Sequence, residues 1–156
     1  MGRPRALSHE TVIAAALSIS DTEGLPALTV RRLADELDVT GMTVYTYFKN
    51  KQDILYHCHV KCIAISLAAL DEVSAMGLPP AEALRDLLVR HIRNITEDAY
   101  GGVLLTDLES LTPVQRKRYV AMRDRFEDGV RRLIHGGIAD GAFTQQNVDL
   151  AGITIL

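Results

Sequence analysis

Apolar positions recur along most of the chain at the three-to-four-residue interval of an amphipathic helix, and the two-residue alternation of strands is nearly absent. Ser8 precedes Val12, Ile13, Ala16 and Leu17, which share one helical face, so it is expected to cap a first helix that Gly24 and Pro26 end. Thr29 is expected to cap a second helix, whose Val30, Leu33, Ala34 and Leu37 form a stripe at i, i+3, i+4 and i+7. Asp38 tolerates the left-handed turn that would end it. Thr40 opens a third, very short helix reaching about Tyr47, with only Val44 and Phe48 directed to a core.

From Asn50 or Lys51 the pattern predicts one long helix past Ile54, Leu55, Cys58, Cys62, Ile65 and Ala69 to about Ala75, about 37 Å of continuous helix. Met76-Gly77-Leu78-Pro79-Pro80 breaks it. The next helix runs from Ala81 to about Thr96 and carries Leu84, Leu87, Leu88, Ile92 and Ile95 on its apolar face. A turn at Gly101-Gly102 leads to a shorter apolar helix, Val103 to about Leu111. Thr112-Pro113 is a strong start for a charged helix that stops near Gly141, and Asn147 caps a last one. The pattern changes near Lys51, from short helices to long ones. It implies an all-α chain: residues 1–50 form a three-helix unit, which the long helix joins to a helical region, residues 51–156.

Composition changes this picture little. Apolar residues make up 47% and charged residues 24% of 156, which suits a packed core and excludes a disordered or fibrous chain. No uninterrupted apolar run reaches the roughly 18 residues of a membrane span, and no apolar stretch follows Arg3 and Arg5 as in a secretory signal. Two cysteines, Cys58 and Cys62, are too few for a disulfide scaffold. A soluble cytoplasmic protein with no membrane association is expected. The net charge of −3 excludes a general polycation, and residues 1–51 carry six basic and six acidic side chains. Nucleic-acid binding would therefore need the bases gathered on one face, as Arg3, Arg5, Lys49 and Lys51 are expected to be.

The informative stretch is Thr29 to Lys51, TVRRLADELDVTGMTVYTYFKNK: a helix, a tight turn at Asp38-Val39, and a second short helix. Leu33, Ala34 and Leu37 must pack under the second helix, Val39 must plug the turn, and Val44 and Phe48 must anchor from below. Gly41, Met42, Thr43, Tyr45, Thr46 and Tyr47 are then left free to face a major groove and its phosphates. With its spaced set Asp38-Val39-Thr40, Thr43-Val44-Tyr45, Tyr47-Phe48 and Lys51, this stretch resembles the DNA-binding domain of the TetR family of bacterial transcription regulators. The strong match covers about residues 8 to 60; Asp38, where the family often has glycine, and Gly41-Met42 depart from it. The resemblance implies Thr29, Thr40, Tyr45, Tyr47 and Lys51 near phosphates and sugars. It implies Gly41, Met42, Thr43 and Thr46 at base-reading positions. None of these is a long bidentate reader, so readout would lean on shape. Arg3 and Arg5, on a proline-stiffened arm, suit an A·T-rich minor groove.

The resemblance further implies a ligand-binding and dimerisation region after the long helix. The chain is expected to be a ligand-responsive repressor, a homodimer in its complete form, on a pseudo-palindromic operator. His57, Cys62, Ser66, His91, Asn94, Thr106, Tyr119 and Arg123 are the polar residues near apolar faces that are expected to orient a small apolar or acyl-CoA-like effector. The alternative is an all-helical small-molecule or partner-binding module that does not bind DNA. The spacing of Cys58 and Cys62 suits a metal, but two thiols on an apolar face read as core, so no metal or cofactor is expected. No nucleophile stands at motif spacing from a base, so no enzyme is expected. Because the last helix begins at about Asn147 and is unfinished at Leu156, the chain is expected to be C-terminally incomplete.

Overall fold

In a computed structural model, residues 7–96, 108 and 111–144 are described, and all regular elements among them are helical. Arg3, Arg5, Thr106, most of the helix expected at Val103–Leu111 and the one expected from Asn147 lie outside the described residues. The helices are α1 (His9–Thr22), α2 (Val30–Glu36), α3 (Gly41–Tyr45), α4 (Lys51–Ala75), α5 (Pro80–Thr96) and α6 (Pro113–Ala139), with a 3-10 turn at Leu25–Ala27. The chain divides into two compact units. The first holds residues 1–62 and 98–116, the second 63–97 and 117–156. This division lies inside α4, after Cys62.

Local chemistry sets the boundaries of the first three helices. Ser8 Oγ accepts the Thr11 N–H while Thr11 Oγ1 accepts the Ser8 N–H, a reciprocal cap on α1. Gly24, at φ 84°, lets the chain leave α1 in a conformation a side chain resists. Thr29 caps α2 through the Arg32 N–H, and Thr40 caps α3 through the Thr43 N–H. Between them Asp38 takes φ 54°, the one left-handed non-glycine among the described residues. Helix α3 is five residues long and ends at Tyr45, two residues earlier than the periodicity suggests. Too short to persist alone, it is held by Val44 and Phe48, which are sealed in a core with Val12, Ala16, Leu33, Ala34, Ile54 and Cys58. Each such side chain contributes on the order of 1.5–3 kcal/mol by leaving water.

Helix α4 is apolar enough, by length and composition, to cross a membrane, although no uninterrupted run of its sequence is. Buried residues make up 56% of its most apolar window, which marks the core helix of a folded protein. In α5 the buried stripe is Ala83, Leu84, Leu87 and His91. Ile92, expected on the apolar face, is instead 58% exposed. At 100° per residue the stripe centres on Leu87 and His91, which leaves Leu88 and Ile95 at its edge and Ile92 beyond it. Helix α6 starts with a reciprocal cap between Thr112 and Gln115 and ends before Gly141, at φ 74°.

Candidate nucleic-acid interface

The turn between α2 and α3 decides what the third helix presents. Val44 is fully buried and Phe48 nearly so, whereas Met42 is 76% and Tyr45 51% exposed, and Thr46 is exposed with them. The three residues form one solvent face of α3. Gly41, Thr43 and Tyr47, expected to stand as free, are half-buried. Thr43 Oγ1 lies 2.9 Å from Thr40 Oγ1, and the Thr46 hydroxyl donates to the Thr43 carbonyl at 2.7 Å. The cap oxygens of Thr29 and Thr40 accept from helix amides; the Thr29 hydroxyl hydrogen remains available to an outside acceptor, while Thr40 and Thr43 share one hydroxyl hydrogen bond.

The expectation that Tyr47 stands free is corrected by its contacts. Its hydroxyl donates to the Leu7 carbonyl at 3.0 Å, and its own carbonyl accepts the His9 Nε2–H at 3.0 Å. The His9 ring meets Tyr47 and Phe48 edge-on, at centroid distances of 5.3 and 5.0 Å. Tyr47 therefore ties the root of the N-terminal arm to the end of α3. No periodicity signals this, because forty residues separate the two atoms.

Charge is sorted sharply between neighbouring arginines. Arg32 grips Glu23 at 2.6 Å and Glu36 at 2.9 Å, and its guanidinium holds the Glu23 carboxyl below the usual range. Arg31, beside it in the first turn of α2, is exposed. In the sequence the two arginines look equivalent. Lys51 begins α4, whose first turn is capped by Asn50 Oδ1 on the Asp53 N–H at 2.8 Å. With Thr29, Thr40 and Lys49, these helix starts place N–H groups, hydroxyls and cations in one unit with the α3 face.

The residues expected to meet an effector scatter. Cys62 belongs to the core of the first unit, and burial pushes both the Cys58 and Cys62 thiols up to about 12. His57 is also in the first unit, 5.4 Å from the Phe48 ring and 5.1 Å from the Tyr56 ring. Each lies against the rings or core of the three-helix unit. In the second unit Ser66 Oγ and His91 Nδ1 are buried and 3.1 Å apart, and the His91 ring lies 5.1 Å from Phe126. Burial holds the His91 imidazole below its usual value. Tyr119 is buried on α6, Arg123 pairs with Glu127 at 3.5 Å, and Asn94 lies beside Ile65, Ala68 and Ala69 in a shallow groove.

A short capped helix seated across another, with a long helix leaving its far end, defines a helix-turn-helix protein. Residues 12–58 match the family model for bacterial regulatory proteins of the tetR family, and residues 77–156 match the tetracyclin repressor-like C-terminal domain. The chain belongs to the TetR family of transcriptional regulators. It is 43% identical over 49 residues to the class E tetracycline repressor protein of Escherichia coli, covering 31% of this chain. The matches span 34% and 23% of the length of two curated relatives. Among solved structures it resembles the regulator PfmR from Thermus thermophilus, with 27% identity and a TM-score of 0.83 over 97% of this chain and 82% of that one. AibR in complex with isovaleryl coenzyme A and operator DNA shares the fold at 15% identity, with a TM-score of 0.82 over 94% of this chain and 80% of that one.

Proposed function

We propose that this chain is a ligand-responsive transcriptional repressor that binds double-stranded operator DNA in the cytoplasm and is released by a small apolar or acyl-CoA-like effector. The observation that carries the reading is the division of the α3 segment: Val44 and Phe48 are sealed in the core while Met42, Tyr45 and Thr46 face solvent. Thr29, Thr40, Tyr45 and Lys51 contact phosphates and sugars, Gly41, Met42, Thr43 and Thr46 lie along base edges, and Arg3 and Arg5 enter the minor groove. Tyr47 roots that arm.

Two protomers place their α3 helices about 34–36 Å apart, one turn of DNA. The effector binds in the second unit, where Ser66, His91, Asn94, Tyr119 and Arg123 supply polar groups against apolar helix faces. The AibR complex supports the ligand class, and an effector acts by binding one spacing of the protomers better than the other.

The test is enrichment of duplexes from a randomised pool, followed by titration against salt. A specific duplex with a steep salt slope is expected, and Lys51→Ala reduces that slope by about one while weakening all sequences alike. Equal, weak binding to every duplex would favour the all-helical binding module that does not act on DNA.

A further inference from the structure

The first turns of α4 and α6 are joined side chain to side chain. Gln115 Oε1 accepts both the Thr112 N–H, at 3.1 Å, and the Thr112 hydroxyl, at 2.9 Å. A backbone N–H can only donate, so Oε1 must face Thr112, which leaves the amide Nε2 pointing away from the cap. Nε2 donates to Asp53 Oδ1 at 3.1 Å, across 62 residues of sequence. Asp53 Oδ2 in turn accepts the Lys49 N–H at 3.1 Å, and the Asp53 N–H completes the α4 cap on Asn50. His57 Nε2 stands 3.9 Å from Oδ1. One carboxylate therefore holds the backbone of the segment that leaves α3, and a side chain from the start of α6 holds that carboxylate. Residues 53 and 115 lie in the same compact unit, while α4 and α6 both continue into the other.

We propose that Gln115 is a positioning residue for the DNA interface: through Asp53 it sets the Lys49–Lys51 segment, and so the placement of Lys51 and the end of α3. A displacement at the start of α6 is transmitted to that segment by one hydrogen bond to a charged acceptor, the stronger kind. The inference rests on the DNA-binding reading above.

Gln115→Glu isolates the contact. A glutamate keeps the acceptor that caps α6, since threonine followed three residues later by glutamate is itself a capping box. It loses the donor to Asp53 and sets two carboxylates against each other. The double variant Asp53→Asn with Gln115→Glu re-forms the bond with donor and acceptor exchanged, and position 53 still accepts the Lys49 N–H.

In the full chain, Q115E is expected to speed hydrogen exchange at the Lys49 amide and to weaken binding to the enriched duplex by about tenfold. The double variant restores both to within about threefold of the original. Unchanged Lys49 exchange in Q115E overturns the link itself. Faster exchange with unchanged affinity overturns its control of the interface. A double variant no better than Q115E does the same, since the side chain then serves α6 alone. A chain that enriches no duplex defeats the DNA-binding reading instead, and the exchange measurement still decides whether the link exists.

Discussion

The two compact units bury helix faces by different means. In the first, short helices are started and stopped by devices that act within four residues: the Ser8, Thr29, Thr40 and Asn50 caps, and the positive φ of Gly24 and Asp38. In the second, long helices meet through contacts far apart in sequence. Leu70 occupies the space that a side chain at Gly129 would need, Ser66 and His91 pair in the interior, and Arg125 reaches Asp71 at 2.8 Å. The exposed ion pairs among these contribute little, so packing and the buried polar pair hold the second unit. A unit whose helices are bounded by local caps can present a fixed face on a five-residue helix.

The largest effects test the two cores against each other. Phe48→Ala in the first unit and Phe126→Ala in the second should each cost about 3–5 kcal/mol in urea unfolding, because both rings are fully enclosed. Separate transitions, each shifted by its own variant, would sharpen the contrast. A single transition shifted equally by both would show that the units unfold as one, and a loss below about 1 kcal/mol would contradict the packing at that position.

Acid discriminates next. Burial holds His59 of the first unit down to about 4 and also lowers His91 of the second. A folded-state imidazole below its unfolded value of 6.5 binds its proton less readily than the unfolded chain does. Stability is therefore intact above pH 6.5 and lost as pH falls, by up to about 1.4 kcal/mol per unit for His59 until pH 4. His59→Gln and His91→Gln should each flatten the fall in unfolding free energy between pH 7 and pH 5, measured by denaturant titration. Identical slopes in wild type and both variants would refute these positions as the sensitive groups.

The tyrosines of the first unit separate a surface from an anchor. Tyr47→Phe should lose about 0.5–1.5 kcal/mol with its bond to Leu7, while Tyr45→Phe should leave the melting temperature unchanged and weaken duplex binding. A reversed pattern would exchange their roles. The smallest effect concerns the turn: Asp38→Gly should stabilise by about 0.5 kcal/mol, since glycine adopts φ 54° without strain. Destabilisation would mean that the Asp38 side chain holds the turn in a way its φ does not reveal.

The starts of the first helices were legible from residues alone. Caps, the turn at Asp38 and the stripe of Leu33 and Ala34 are written in spacings of three and four, so the chain determined α1 to α4, the class of protein and the seating of Val44 and Phe48. Only tertiary structure decided which of two adjacent arginines was spent on Glu23 and Glu36, that Tyr47 and His9 fasten Leu7, that Ile92 lies outside its stripe, and that Cys62 and His57 belong to the first unit. The tie from Gln115 to Asp53 belongs with these. Backbone amides and helix faces obey periodicities short enough to read along the chain. The partner of a long polar side chain is set by where distant helices cross, and no local spacing encodes that crossing.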